Sequence, residues 1–240
     1  AKRRRELSLR SFMEYVLLLQ TDRSGKELVE LINRLTTNHS FVYREREHFD
    51  FLTSTILPPL VASAKAKGPY QLRIWSAGCA AGEEAHSIAI ALREALASDF
   101  SRMDPAILAT DISIDVLEEG KRGIYPIARF RELPPAFLSR YFKKIDAENY
   151  EALPSIHELI LFKRLNLMAA PYPMKTSFDL VFCRNVMIYF DGEVRKRLIN
   201  ALYEVVKPGG YLFVGHSETL QRGDSNFTYV KPAIYRRDGD

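Results

Sequence analysis

The chain has 240 residues, of which 47% are hydrophobic and 27% charged, and its formal net charge is +4. This composition is typical of a globular protein, and no segment approaches the roughly 20 apolar residues that span a bilayer. The two cysteines show no CxxC or paired Cys/His spacing, so neither a disulfide framework nor a metal site is predicted. The N-terminus lacks the apolar segment of a secretory signal, and we therefore expect a cytoplasmic protein without membrane insertion.

Basic residues crowd the first ten positions against the single acid Glu6. They are Lys2, Arg3, Arg4, Arg5 and Arg10. Such a cluster favours an acidic partner, either a nucleic acid, a membrane surface or an acidic protein. The alternative, a solvated helix face, remains open on charge alone.

Residues 1–64 are predicted to form a helical N-terminal domain with a linker helix. The first helix repeats apolar residues at helical spacing through Phe12, Tyr15, Val16 and Leu19. Ser24 and Glu27 have the spacing of a capping box for a second helix. A third helix is expected near Glu45 and should be disturbed at Pro58-Pro59.

Beyond residue 64 the pattern changes to strands that alternate with helices. Strands are predicted at residues 71–76, 106–112, 159–166, 178–183 and 211–215, and the tail is predicted to form a hairpin. Pro208-Gly209-Gly210 should end a long helix that Asp191 caps. This alternation favours a largely parallel sheet in a domain spanning residues 65–240. Residues 124–158 lack this alternation of strands and helices, and we interpret them as an inserted subdomain.

The loop after the first strand is rich in small residues and opens a helix with two glutamates. Gly78 permits close approach of a ligand to the backbone, although glycine in such a turn is a weak signal alone. Glu83 and Glu84 would repel a phosphate and suit a cationic ligand, such as the sulfonium and ammonium of S-adenosylmethionine. Alternatively, both glutamates only complement the helix dipole. Asp111 ends the second strand, where an acid can bind ribose hydroxyls or, alternatively, cap the next helix.

Five segments in order carry a family resemblance: TTNHSFVYREREHF, RIWSAGCAAGEEAHSIAIAL, ATDISIDVLEEGKRGIY, FDLVFCRNVMIYFD and VKPGGYLFVGHSETL. The chain resembles the chemotaxis receptor glutamate methyltransferase (CheR) family from about residue 2 to residue 237. The resemblance implies a Rossmann-like class I methyltransferase fold with a small helical N-terminal domain and an inserted antiparallel β-subdomain. It also implies methyl transfer from S-adenosylmethionine to receptor glutamates, with S-adenosylhomocysteine as product.

The resemblance further implies a set of site residues. The implied cofactor-binding residues are Asn38, Ser40, Arg44, Ala77, Gly78, Glu84, Asp111, Asn166, Leu167, Asn185 and Val186. Glu84 matches the family's acid at the first turn of the helix, with Glu83 beside it as the alternative. Arg44 would pair with the methionyl carboxylate, and Tyr189 would orient the incoming carboxylate near the methyl group. Tyr189 could instead be a solvated rim aromatic, and Arg184 could be a structural ion-pair partner.

The reaction needs no general base, because a glutamate with a pKa near 4.3 is ionised at neutral pH. The implied partner is the cytoplasmic helical region of methyl-accepting chemotaxis receptors. The basic N-terminal helix is expected to be the docking surface, and the enzyme is expected to be a monomer. His216 and Glu218 are assigned structural hydrogen bonds and no catalytic role. Two alternatives remain: a methyltransferase acting on RNA or a small molecule, and a non-catalytic cofactor sensor. Residues 1–10 contain no aromatic to stack on bases, which disfavours nucleic acid.

Overall fold

The N-terminal part of the protein is helical in the computed structural model, which describes residues 2–35, 40–220 and 225–239. Its helices are α1 Lys2–Glu6, α2 Phe12–Thr21, α3 Lys26–Leu35, α4 Glu47–Phe51 and α5 Leu57–Lys67. Within the described residues, no helix combines the length and the apolar character that crossing a membrane requires.

The helix around the two prolines is disturbed before them rather than broken by them. Between α4 and α5 lies a π-helical turn, Leu52–Ile56, and the Leu57 N–H bonds to the Leu52 carbonyl. Pro58 and Pro59 occupy the first turn of α5, where a missing N–H is tolerated. The chain therefore stays helical through Lys67.

The predicted capping box of the second helix is wrong. The Glu27 N–H donates to Asp22 Oδ2 at 2.8 Å, and Asp22 Oδ1 accepts from the Ser24 N–H at 2.9 Å. The Glu27 carboxylate is instead buried within the helical unit, where it accepts hydrogen bonds from Arg3 and Tyr15. Asp22 therefore satisfies the start of α3, because the glutamate is committed to a tertiary contact.

In the remainder of the chain, the described residues form ten strands and six further α-helices. The strands are β1 Arg73–Ala77, β2 Ala106–Asp111, β3 Ile124–Pro126, β4 Phe142–Lys144, β5 Asn149–Ala152, β6 Ile160–Arg164, β7 Phe178–Cys183, β8 Val206–Val214, β9 Thr228–Lys231 and β10 Ile234–Arg236. The helices are α6 Glu83–Leu96, α7 Phe100–Met103, α8 Ile114–Arg122, α9 Pro135–Tyr141, α10 Pro154–His157 and α11 Gly192–Val205.

Seven strands form one sheet in the order β6-β2-β1-β7-β8-β10-β9. The first five strands of that order are parallel to their neighbours, and β10 pairs antiparallel with β8 and β9. This is the Rossmann-like arrangement that the sequence predicted. All six residues of the central strand β7 are buried, as expected where a parallel strand is covered on both faces.

A second, antiparallel sheet of three strands has the order β3-β5-β4. It lies in the chain between β2 and β6, so it interrupts the alternation of strands and helices at the place where an inserted subdomain was predicted. Its tyrosine Tyr125 is 2% exposed and donates a hydrogen bond to the Ala81 carbonyl, which belongs to the loop after β1. The insertion is therefore packed directly against the loop that follows β1.

The prediction that Pro208-Gly209-Gly210 ends the long helix is wrong. Helix α11 ends at Val205, and β8 begins at Val206, so the three residues lie inside the strand. The register between β7 and β8 shifts at this point, between Phe178 and Leu180. A Cβ on Gly210 would lie 2.7 Å from the Asp179 carbonyl oxygen, which explains the need for glycine there.

Candidate functional site

A cleft of about 440 Å³ lies beyond the carboxyl ends of β1, β2 and β7, within the size range of small-ligand sites. It brings together ten of the residues singled out from the sequence: Ser40, Arg44, Gly78, Glu84, Asp111, Asn166, Leu167, Asn185, Val186 and Tyr189. Ala77 is buried at the end of β1 and does not line the cleft. Asn38 lies outside the described residues.

Gly78 allows the loop after β1 to approach the loop after β7. Its φ of +82° is in the left-handed region, and an added Cβ would lie 2.5 Å from Val186 Cγ2. The N–H groups of Gly78 and Cys79 both donate to the Thr110 carbonyl, at 2.8 and 2.9 Å. The loop is therefore tied to β2, and a side chain at position 78 would push the two loops apart.

The two glutamates at the start of α6 point to different places. Glu84 lines the cleft, where it accepts hydrogen bonds from Ser76 Oγ at 2.7 Å and from Arg184 Nη1 at 3.1 Å. Burial raises the pKa of Glu84, and the Arg184 charge opposes that rise. Glu83 is fully buried and lies 2.7 Å from Arg129 of the insertion. Only Glu84 is therefore placed to meet a ligand in the cleft.

Asp111 ends β2 with two of its acceptor positions already used. Its Oδ1 accepts from the Ser113 N–H at 2.9 Å and its Oδ2 from the Ala80 N–H at 3.0 Å. Helix α8 is capped by the Ser113 side chain rather than by Asp111. A carboxylate offers about four acceptor sites, so Asp111 retains capacity for two hydroxyl donors. Burial raises the pKa of the Asp111 carboxyl.

Arg184, which follows β7, connects three parts of the site. Its guanidinium is almost fully buried and pairs with Glu45 at 3.0 Å and Glu84 at 3.1 Å. It also donates to the Arg44 carbonyl. Arg184 is therefore the structural ion-pair partner that the sequence left as an alternative, and it holds the segment around Arg44 against the cleft.

Glu218 was missed as a site residue, although the sequence predicted a structural hydrogen-bonding role for it. Its carboxylate is 5% exposed and accepts bonds from the N–H groups of Asn185, Met187, Ile188 and Gly215, at 2.7, 2.7, 3.2 and 2.7 Å. These bonds shape the loop from Asn185 to Tyr189. An acid in a turn just after a buried strand was the available signal, but its target lies 30 residues earlier in the chain.

Tyr189 stands at the rim of this loop, and its side chain is 60% exposed. The neighbouring Ile188 is 51% exposed, so the outer edge of the cleft presents apolar and phenolic surface together.

Behind the cleft, the side chains of Glu45, His48 and His216 bring potential metal-ligand atoms within 4.8 Å of one another. The sequence did not indicate this cluster, because His216 is far from the other two in the chain. The Arg184 guanidinium already pairs with Glu45, and its positive charge would repel a cation at this place. We assign no metal to it.

Comparisons with known proteins agree with this geometry. The family model described as "CheR methyltransferase, SAM binding domain" matches residues 38–235. A chemotaxis protein methyltransferase of Borreliella burgdorferi is 41% identical over 95% of this chain and 81% of its own length. The Escherichia coli protein of the same name is 34% identical over 100% of this chain and 81% of its own length.

Solved structures are more distant. PKMT2 from Rickettsia typhi in complex with AdoHcy is 16% identical, with a TM-score of 0.39 over 65% of this chain and 24% of that one. The N-methyltransferase NodS from Bradyrhizobium japonicum is 13% identical, with a TM-score of 0.37 over 71% of this chain and 60% of that one. These scores carry no weight beside the sequence matches. On the family model and the relatives, the chain belongs to the CheR methyltransferase family and contains its S-adenosylmethionine-binding domain.

Proposed function

We propose that this protein transfers the methyl group of S-adenosylmethionine to glutamate side chains of chemoreceptors, forming glutamyl methyl esters and S-adenosylhomocysteine. The observation that carries the proposal is the cleft itself, where the ends of three parallel strands bring Glu84, Asp111 and Asn185 together. Relatives that cover nearly the whole chain are named chemotaxis protein methyltransferases, which supports the receptor as substrate.

The residues of the cleft fit the cofactor group by group. Asp111 has two acceptor positions left for ribose hydroxyls, and Glu84 offers a carboxylate to an ammonium. Arg44 complements the methionyl carboxylate. The adenine is assigned to Asn166 and Leu167, the sulfur side to Asn185 and Val186, and the outer end to Ser40 and Asn38, with Gly78 as a backbone contact. Ala77 does not line the cleft, so its part is to position Gly78.

The chemistry follows from charges already present. The bound cofactor supplies an electrophilic methyl group on a positively charged sulfur. A substrate carboxylate is ionised at neutral pH, so the chain's residues need only exclude water and align the oxygen. Tyr189, whose hydroxyl can donate to the carboxylate, and Arg44 are assigned this orienting role. Holding the two reactants in the right orientation lowers the activation free energy by several kcal/mol.

The substrate is assigned to the cytoplasmic helical region of the receptor, docked on the N-terminal helices of a monomeric enzyme. Arg5 and Arg10 are exposed, whereas Arg3 is paired with Glu27 at 2.6 Å. Helix α2 adds exposed apolar side chains at Phe12, which is 62% exposed, and Met13, which is 67% exposed. The docking surface is therefore both basic and apolar. In this scheme residues 1–64 dock the receptor and contribute Ser40 and Arg44 to the cleft, residues 65–240 form the methyltransferase domain, and residues 124–158 form the insertion.

The test is transfer of radiolabelled methyl groups to receptor-containing membranes, followed by mild alkali. Methyl esters release methanol in alkali, and we expect this label to disappear with Asp111→Ala. The matched control is Asp115→Ala, an exposed acid at the start of α8 whose loss should leave labelling intact. Alkali-stable label, or label on RNA, would contradict the proposed substrate. Cofactor binding without any transfer would instead favour a sensor.

A further inference from the structure

A second cavity, of about 380 Å³, adjoins the cofactor cleft. It is lined by Ser40, Phe41, Arg44, Ala128, Arg129 and Arg131, and we call it the arginine pocket. Ser40, Phe41 and Arg44 also line the cleft. A group bound in the arginine pocket would therefore be a direct neighbour of a group reacting in the cleft.

Two guanidinium groups flank the Phe41 ring in this pocket, and a third, that of Arg129, also lines the pocket. Arg131 lies 3.8 Å from the centroid of the Phe41 ring, and Arg44 lies 5.8 Å from the same centroid. Arg129 contacts the buried Glu83 at 2.7 Å and donates to the Ser40 carbonyl. Arg129 thus anchors the insertion to the start of α6 and is not itself a mobile side chain.

Arg131 has a different position. It is exposed, and among the parts of the chain that the structure describes no carboxylate pairs with it. Stacking on Phe41 holds the planar guanidinium while its N–H donors remain accessible. A fork of this kind suits a carboxylate in a bidentate arrangement, which a lysine ammonium would not reproduce.

We propose that the arginine pocket is a subsite for a second carboxylate of an acidic polypeptide substrate, next to the carboxylate that receives the methyl group. This inference rests on the proposed function, since it names a further determinant of the same substrate. Side chains one turn apart on a helix are separated by about 5–6 Å, so adjoining pockets would hold two acids of one helical face.

The features of the pocket favour a polypeptide over a nucleic acid. Phe41 is the aromatic ring of the lining, and Arg131 already lies 3.8 Å from its centroid, so the ring face is not open to a base. Stacking of bases on aromatic rings is the usual support for single-stranded nucleic acid. Carboxylates on a polypeptide can be bound by the guanidinium groups alone, without an open aromatic ring.

The experiment uses the full chain and two receptor-derived helical peptides. Both contain the same methyl-accepting glutamate, and the acids one turn away are Glu in one peptide and Gln in the other. We expect Arg131→Glu to lower kcat/KM for the acidic-flank peptide about tenfold through KM, and to change the value for the Gln-flank peptide less than twofold. Affinity for S-adenosylhomocysteine, measured by calorimetry, should not change.

Lys175→Glu is the matched control, because Lys175 is an exposed cation in the segment that leads into the amino end of β7 and lines neither the cleft nor the arginine pocket. It makes the same change in net charge and should leave both peptides unaffected. Equal rates of wild type and Arg131→Glu on the acidic-flank peptide would overturn the inference. So would an equal loss on both peptides, or competition by an oligonucleotide but not by an acidic peptide.

The failure of this inference can be distinguished from failure of the proposed function. If the wild type methylates neither peptide, the proposed function fails. Fluorescence anisotropy with the two labelled peptides then still tests the subsite. Preferential binding of the acidic-flank peptide that Arg131→Glu abolishes supports it, and equal binding overturns it.

Discussion

The cofactor cleft and the arginine pocket share residues but are built differently. The cleft is held by buried polar groups that bond to one another, such as Arg184 with Glu84 and Glu218 with the loop after β7. The arginine pocket presents an exposed guanidinium supported by stacking on Phe41. The cleft is therefore preorganised for one ligand of fixed shape. The arginine pocket attracts a negatively charged group but leaves the rest of the molecule that carries this group unconstrained.

The difference also predicts how strongly each region responds to substitution. A buried polar group whose partner is removed loses several kcal/mol, because water cannot replace the partner. An exposed charge is screened and contributes about 1 kcal/mol or less. Changes in the supports of the cleft should thus affect folding and cofactor binding, whereas a change at the exposed Arg131 should affect only substrate selection.

The largest effect is expected at Glu218. Glu218→Ala leaves four backbone N–H groups without their acceptor and should lower the free energy of unfolding by about 3–5 kcal/mol. Urea unfolding measures this loss, and Glu218→Gln should lie between Ala and wild type. Ser217→Ala, at an exposed neighbour, is the control. A loss below about 1 kcal/mol for Glu218→Ala would show that the loop does not depend on this carboxylate.

The second effect concerns cofactor affinity. Asp111→Asn replaces one acceptor oxygen by an NH₂ group where both oxygens already face backbone N–H groups. We expect affinity for S-adenosylhomocysteine to fall about 100-fold, close to 2.7 kcal/mol, by loss of charge-assisted bonds. Calorimetry measures it, with Asp115→Asn as control. Unchanged affinity would remove Asp111 from the ribose site.

The third effect is a pH dependence of stability. Burial lowers the pKa of His48 to about 2 and that of His86 to about 3, from the ordinary value of 6.5. Below pH 6.5 the two histidines therefore bind protons in the unfolded chain but not in the folded chain. Their contribution to the free energy of unfolding is fully present above that pH and falls as the pH decreases. From pH 7 to pH 5 each histidine should cost about 2 kcal/mol.

Unfolding free energies at pH 7, 6 and 5 test this slope, and His86→Gln should remove about half of it. Glu84 and Asp111, whose pKa values burial raises, act with the opposite sign and reduce the slope at the acid end. A stability that does not change between pH 7 and pH 5 would contradict the burial of neutral imidazoles.

The smallest effect is expected at the rim. Tyr189→Phe removes one hydroxyl from a side chain that is 60% exposed, so stability should not change. If the hydroxyl orients the substrate carboxylate, kcat should fall about tenfold, close to 1.4 kcal/mol. Tyr229→Phe, at a tyrosine that is 59% exposed on the far strand β9, is the matched control. Equal rates would leave Tyr189 as a solvated rim aromatic.

Local sequence patterns were enough to predict the parallel strands of the large sheet in chain order, and the residues that follow their ends. Strand β7 was predicted with its observed bounds, because a continuous apolar run between polar segments is a local signal. Ten of the twelve predicted site residues line one cleft, and most of them follow the carboxyl ends of parallel strands, which meet at one edge of the sheet. Local patterns and the family resemblance were sufficient for these features.

The contacts between segments that lie far apart in the chain are seen in the folded structure and have no signal in the sequence. Arg184 pairs with Glu45, 139 positions earlier in the chain, and Arg131 of the insertion stacks on Phe41. No periodicity relates such residues, because helix and strand patterns report neighbours within about four positions. The wrong predictions have the same cause: Glu27 is held by Arg3 and Tyr15, and pairing with β7 draws Val206 and the residues after it into a strand.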